Sequence, residues 1–350
     1  ADNDNVQLIN NKITDATVGI YSAGTTAVTA GANDGLVLQN NDISTATTST
    51  LLVKGIQLVN TLGATVSGNQ VSIETTNAGQ PVGIALEGGA LNAVVTKNLV
   101  SKVLTTATGG YGARGIAVAT GSASSNVEIS NNIVYGVNGS NYSAFSNSSS
   151  IGIGLGVSNS TITDATGGVR VYYNTVRLSG DYTYAANCIT AALYVGSGAT
   201  TLDIRNNIFV NTLNNTNASG TASKNYAAYS AAANTAFSTV NNNNYSASGT
   251  QGVLSYLGSD ATTLAALQTA FGGNANSQVA TPSFVSGTDL HLTNALGANL
   301  CLNGKATPIA GITTDIDGDT RNATTPDIGA DEFNPTLPTF LVTNQSACFG

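Results

Sequence analysis

The sequence predicts an all-β chain wound as a right-handed parallel β-helix, a β-solenoid of about eight or more coils with a C-terminal cap containing one short helix. Three observations lead there. An asparagine recurs at residues 11, 41, 69, 98, 132, 174, 207 and 243, at intervals of 28 to 42 residues. Apolar residues keep fixed offsets from each of these asparagines. No helical periodicity runs through the first 256 residues, so no helix is available to make crossovers between strands.

The offsets define the coil. Five residues before the asparagine stand Val6, Leu36, Ala64, Ala93, Val127, Val169, Leu202 and Ser238. Three before stand Leu8, Leu38, Val66, Val95, Ile129, Val171, Ile204 and Val240. Two after stand Ile13, Ile43, Val71, Val100, Val134, Val176, Phe209 and Tyr245. The first two columns lie two residues apart, as side chains on one face of a strand do. The third breaks that parity, so the chain must bend between them, and the bend falls on the Asn pair, as in Asn10-Asn11, Asn40-Asn41, Asn131-Asn132 and Asn206-Asn207. Asn enters the left-handed region more readily than most residues, and its amide can bond nearby backbone. Asn11, Asn41, Asn69, Asn98, Asn132, Asn174, Asn207 and Asn243 are therefore read as one corner per coil, stacked into a hydrogen-bonded ladder.

A further strand in each repeat is marked by a small residue before an apolar one, as in Val18-Gly19-Ile20, Val82-Gly83-Ile84 and Ala191-Ala192-Leu193. The variation in repeat length falls in Gly/Ser/Thr/Asn-rich stretches such as 104–112, 136–150 and 211–225. Loops of variable length on a coil of fixed geometry suit a solenoid better than a propeller, whose blades are regular. Coils are assigned to residues 1–256. From residue 257 the pattern changes. Asp260 or Thr262 is placed to cap a helix through Leu264, Leu267 and Phe271 that stops at Gly272-Gly273. Residues 257–333 are read as the end cap that a solenoid needs, and 334–350 as a linker.

Composition narrows the function. Charged residues are 9% of the chain, against about 25% in an ordinary domain. Their place is taken by Asn, Thr, Ser, Gly and Ala, a surface suited to an extracellular β-rich protein. A net charge of −8 with 11 Lys and Arg argues against nucleic-acid binding, which needs a basic stripe. No run approaches the roughly 18 apolar residues of a membrane span. The chain begins at Ala1-Asp2-Asn3, which reads as a fragment or mature segment. For Cys188, Cys301 and Cys348, a Cys188–Cys301 disulfide and isolated buried thiols are both open, with the thiols favoured.

Catalytic chemistry finds little footing. The coil carboxylates Asp15, Asp34, Asp42, Glu74, Glu87, Glu128, Asp164, Asp181 and Asp203 form no local pair and no evident column, so solvated surface is expected. Glu87 and Arg114 are expected to face each other as an ion pair on adjacent coils. The chain has no Trp for sugar stacking, and its 13 Tyr are assigned mainly to packing. His291, the only histidine, is given a structural role. Asp315, Asp317 and Asp319 around Gly318 resemble the start of a calcium loop and are the candidate structural calcium site. The alternative there is a turn in which Arg321 pairs with an Asp. No other cofactor is expected.

The Asn-Asn-Ile coils resemble right-handed parallel β-helix proteins secreted by Bacteroidetes-type bacteria. The C-terminal run is the more specific match: Pro282-Ser283-Phe284, Asp289-Leu290-His291-Leu292, Asp315-Ile316-Asp317-Gly318-Asp319-Thr320-Arg321 and Pro326-Asp327-Ile328-Gly329-Ala330-Asp331-Glu332-Phe333. The tail Asn344-Gln345-Ser346-Ala347-Cys348-Phe349-Gly350 resembles the opening of the immunoglobulin-like modules of very large gliding-type adhesins. The resemblance implies a module of a giant surface protein exported by the type IX route. Its expected role is noncatalytic: a rigid rod displaying loops for adhesion or assembly. Expected partners are other modules of the same chain, copies of itself in an appendage, or cell-surface glycans. The alternative is a polysaccharide lyase or glycoside hydrolase, as the enzymatic relatives of this fold are.

Overall fold

The structure, a computed structural model, describes residues 3–26, 31–44, 53–107, 111–139, 148–158, 161–295 and 297–336. Nearly all regular structure is β, and the strands assemble into three long parallel sheets. The first sheet stacks Gln7–Ile9, Val37–Gln39, Thr65–Ser67, Val94–Thr96, Glu128–Ser130, Arg170–Tyr172, Leu202–Arg205 and Phe237–Asn241. The second begins with Lys12–Ile13, Asp42–Ser44 and Gln70–Thr75 and ends at Asn244–Ala247. The third runs from Val18–Ala23 through Lys54–Val59 and Val82–Glu87 to Gly252–Leu257. The chain visits the sheets in the same order on every circuit. Each circuit pairs in register with the next, as in Leu8 with Leu38, Ile43 with Val71 and Ile84 with Ile116.

The predicted columns line one continuous core. Leu38, Val66, Val95 and Ile129 from the first sheet meet Ile43, Val71, Val100 and Val134 from the second, all fully buried. The third sheet adds Ile56, Ile84, Ile116 and Ile153. Each such side chain contributes roughly 1.5–3 kcal/mol by leaving water. A glycine column in the third sheet lets the coil close tightly. A Cβ on Gly115 would sit 2.4 Å from Val134 Cγ1 and 2.5 Å from the Gly152 carbonyl oxygen.

The asparagine column forms the expected ladder. Asn69 accepts at Oδ1 from the backbone N–H and the Nδ2 of Asn41, and its own Nδ2 donates to Asn98 Oδ1 at 2.9 Å. The same Nδ2 donates to the Leu38 carbonyl, three residues before the previous asparagine. This arrangement repeats to Asn243, whose N–H donates to Ser277 Oγ at 3.0 Å. The two residues of each pair differ in role. The left-handed residue is the one before the ladder asparagine: Asn10, Asn40, Gly68, Lys97, Asn131, Tyr173, Asn206 and Asn242. The ladder asparagine itself supplies hydrogen bonds. A second left-handed corner, unforeseen in the sequence, falls six residues before the ladder position at Asn5, Gly35, Gly63, Asn92, Asn126, Gly168 and Thr201.

The C-terminal region divides in two. Helix α1 (Leu264–Phe271) lies over the last coil and buries Leu267 and Phe271 in the main core. Its cap is Thr263, whose side chain accepts from Ala266 N–H, and not Asp260 or Thr262. Asp260 instead sits in the antiparallel strand Ser259–Ala261 and holds Lys224 and the Tyr226 hydroxyl. Gly272, at φ 66°, ends the helix. The rest turns back along the outside of the rod. It follows the left-handed column: the Lys305 carbonyl accepts from Asn242, the Thr307 carbonyl from Asn206 and Tyr173, and the Thr314 carbonyl from Asn131. Lys97 Nζ closes the series on Thr314 Oγ1. Cys188 is a buried thiol 3.2 Å from the Tyr182 hydroxyl, while Cys301 is disulfide-bonded, so neither the Cys188–Cys301 pairing nor the isolated thiol expected at Cys301 forms. Residues 337–350, which hold Cys348 and most of the expected linker, lie outside the described residues.

Candidate functional site

Two groupings of charged residues emerge once the coils are stacked. The first lies on the outer face of the first sheet. Glu128, Arg170 and Asp203 occupy one column, each paired in register with the next. Parallel pairing puts adjacent coils about 4.8 Å apart, so Glu128 and Asp203 flank Arg170 from either side. Arg170 Nε lies 3.8 Å from Glu128, and its Nη1 donates to Asn126 Oδ1 at 2.5 Å. Arg205 reaches Asp203 through Nε at 2.7 Å and Nη2 at 2.6 Å, a bidentate fork. Its guanidinium also lies 5.1 Å from the Tyr172 ring centroid, and the Tyr172 hydroxyl donates to Asp203 Oδ2 at 2.6 Å. Burial, reinforced by that bond to Asp203, pushes the Tyr172 phenol up to about 12. The expectation that the coil carboxylates share no column is thus corrected for Glu128 and Asp203. Counting from the ladder would have found them: each stands four residues before its asparagine.

Glu87 and Arg114 do not meet. Glu87 pairs in register with Ala119, and Arg114 with Val82, at opposite ends of their strands. Glu87 is held by Lys54 Nζ at 2.9 Å and Gln57 Nε2 at 2.6 Å. Arg114 is fully buried and donates to Gln80 Oε1 and the Ser158 carbonyl.

The second grouping lies in the returning C-terminal segment. Asp315 is fully buried. Its Oδ1 accepts from the N–H groups of Asp317, Gly318 and Asp319 at 2.8–3.0 Å, and its Oδ2 from Glu332 N–H at 3.0 Å. Three backbone donors from its own turn and a fourth from Glu332 satisfy this carboxylate. Asp319 is exposed and does not join the other two in the carboxylate group. The carboxylates that the fold does gather are Asp315, Asp317 and Asp331, with one oxygen of each within 4.8 Å of the others. Arg321 pairs with none of the three predicted aspartates. It contacts Glu332, Asn131 and the Gly329 carbonyl and stacks on Tyr173.

His291 stands at the edge of this group. Its Nδ1 is 2.5 Å from Asp289 Oδ1, and its Nε2 is 2.8 Å from Asp317 Oδ2. Burial disfavours the imidazolium, but the Asp289 hydrogen bond and the charges of Asp317 and Asp331 outweigh it and raise the His291 pKa. Burial raises the Asp331 carboxyl against the Leu292 N–H that it accepts. Nearby, burial lifts Asp327 to about 7, although Gly304 and Phe333 N–H groups bond both its oxygens. A protonated His291 supplies a counter-charge beside Asp317, and the three carboxylates stand close enough together to hold a metal ion.

No family model, no curated protein and no solved structure matches this chain.

Proposed function

We propose that this chain is a right-handed parallel β-helix serving as a noncatalytic extracellular module of a large bacterial surface protein, a rigid rod that displays loops for adhesion or assembly. The observation that carries this reading is the unbroken asparagine ladder, which ties every coil from Asn11 to Asn243 to its neighbours through hydrogen bonds that are buried from Asn41 onward. A stack so fastened resists bending and extension along its axis. The right-handed preference of parallel strands joined by crossovers supports the right-handed sense. The disulfide at Cys301 and the neutral, Asn- and Thr-rich surface support an oxidising, extracellular setting. Type IX export, neighbouring immunoglobulin-like modules and glycan partners belong to the same proposal.

The Glu128–Arg170–Asp203 column favours a second reading, a polysaccharide-cleaving enzyme. Two coils separate its carboxylates by roughly 9–10 Å, near the spacing of an inverting glycosidase pair. Against it, each carboxylate is already engaged by an arginine. Incubation with pectin, alginate and neutral glycans, with and without calcium, separates the two. Absence of unsaturated or reducing-end products, with surface labelling of intact cells by antibody, supports the module. Products that vanish in Asp203→Asn would establish the enzyme.

A further inference from the structure

The two ends of the coil stack are finished differently. At the C-terminal end all three final strands are covered. Asn274 N–H bonds the Val240 carbonyl beside the first sheet, Gln278 bridges Asn244 in the second, and Ser259–Ala261 pairs with Gly252–Leu257 in the third. Helix α1 seals the core between them. At the N-terminal end, among the described residues, Gln7–Ile9, Lys12–Ile13 and Val18–Ala23 each pair on one side only.

The side chains show the same asymmetry. Val6 is 41% and Leu8 37% exposed, whereas Leu38, Val66 and Val95 in the column of Leu8 are fully buried. Asn11 is exposed, whereas Asn41, Asn69 and Asn98 are buried. The inner coils define which groups are left over. Val37 N–H donates back to Val6 O at 2.9 Å, and Asp42 N–H to Asn11 O at 2.8 Å. The equivalent N–H groups in the first coil belong to Gln7 and Lys12, and they face the open edge. In the ladder, Asn41 Oδ1 accepts two bonds from Asn11; the equivalent oxygen of Asn11 faces the same edge.

We propose that this edge is the docking surface for one further coil of the same repeat, supplied in parallel orientation by polypeptide on the N-terminal side of the first strand. The interface it would form continues the one between existing coils, so its chemistry is specified. The occupant carries apolar residues at the −5, −3 and +2 positions and an asparagine at the corner. Its asparagine donates from N–H and Nδ2 to Asn11 Oδ1, and its carbonyls accept from Gln7 and Lys12. Ladder polarity sets the direction, because the bonds from one asparagine to the Oδ1 of another all run toward the C-terminal end. A second copy is a poorer occupant: its C-terminal end is sealed, and an open end meeting an open end would run antiparallel and break the ladder.

A peptide of residues 36–44, Leu-Val-Leu-Gln-Asn-Asn-Asp-Ile-Ser, acetylated and amidated, serves as the probe. It is titrated into the intact chain to about 1 mM, the concentration matching a weak complex of about −4 kcal/mol. Amide hydrogen exchange is followed at Gln7, Ile9 and Lys12. The expected result is saturable protection of these amides, with a peptide carrying the Asn41→Leu change binding at least tenfold more weakly. No protection, or equal binding of the two peptides, would overturn the proposal. Sedimentation gives the remaining arm: a dimer dispersed by Leu8→Asp would make a second copy the occupant and equally overturn it.

Discussion

Arg321 lays its guanidinium 4.0 Å from the centroid of the Tyr173 ring, joining the returning C-terminal segment to the one aromatic residue in the left-handed column of the coils. Asn or Gly fills most of that column, because a bulky side chain at positive φ is strained. Tyr173 is tolerated there since its ring is covered by Arg321 and its hydroxyl donates to the Thr307 carbonyl at 2.7 Å. The strained corner and the buried cation stabilise each other.

Replacing Arg321 with Ala should therefore release the segment. The change uncovers Tyr173 and leaves the half-buried Glu332 without its ion pair, a loss on the order of 3 kcal/mol. Limited proteolysis should cut between residues 305 and 333 in Arg321→Ala and leave the native chain intact. Arg321→Lys should be intermediate, since a point charge cannot reproduce the planar stack. Equal resistance of all three would remove the anchoring role.

The same segment should be less stable in alkali than in mild acid. His291 has a raised folded pKa, so its contribution is complete below its unfolded value of about 6.5 and fades as pH rises through the folded value. Asp327, raised to about 7, acts in the same direction: the folded state holds its proton more tightly, and that advantage is lost between about pH 4 and 7. The thermal midpoint should fall from pH 5 to pH 9, and Asp327→Asn should flatten the part below pH 7. A midpoint that rises over this range would contradict both assignments.

Chelation should leave the midpoint within about 1 °C, a shift of about 0.7 kcal/mol or less for a domain of this size. Asp315 already accepts four backbone N–H bonds, and His291 faces Asp317. Asp319→Asn should be silent, because Asp319 lies outside the group. A midpoint lowered by chelator and restored by calcium, with Asp331→Asn removing the effect, would instead assign the metal to Asp315, Asp317 and Asp331.

Much of the coil was legible in the sequence because one residue must recur wherever one geometry recurs. A ladder needs an asparagine in every coil, and a core needs an apolar side chain at each offset. Which asparagine of each pair takes positive φ was not legible, since both residues suit a turn. The returning segment was hidden for another reason. Its contacts join residues 63 to 217 apart, as in Asn242 with Lys305 and Lys97 with Thr314, and many end on backbone carbonyls. Such bonds leave no pattern in the side chains. The Glu128–Arg170–Asp203 column was legible in principle, at a constant four residues before the ladder, but repeats of unequal length obscured it.

The asparagine ladder as spine of the rod is tested most directly by denaturant unfolding of Asn132→Ala beside Asn214→Ala. Asn132 accepts from Asn98 N–H and Nδ2 and donates to Val95 O and Asn174 Oδ1, all in the interior. Its removal strands at least two buried groups at roughly 1–3 kcal/mol each. Asn214 is exposed and makes one surface bond, to Asp181. The expected result is a loss of about 3–5 kcal/mol for Asn132→Ala and under about 0.5 kcal/mol for Asn214→Ala. Equal, small losses in both variants would contradict the ladder as the element that holds the coils together.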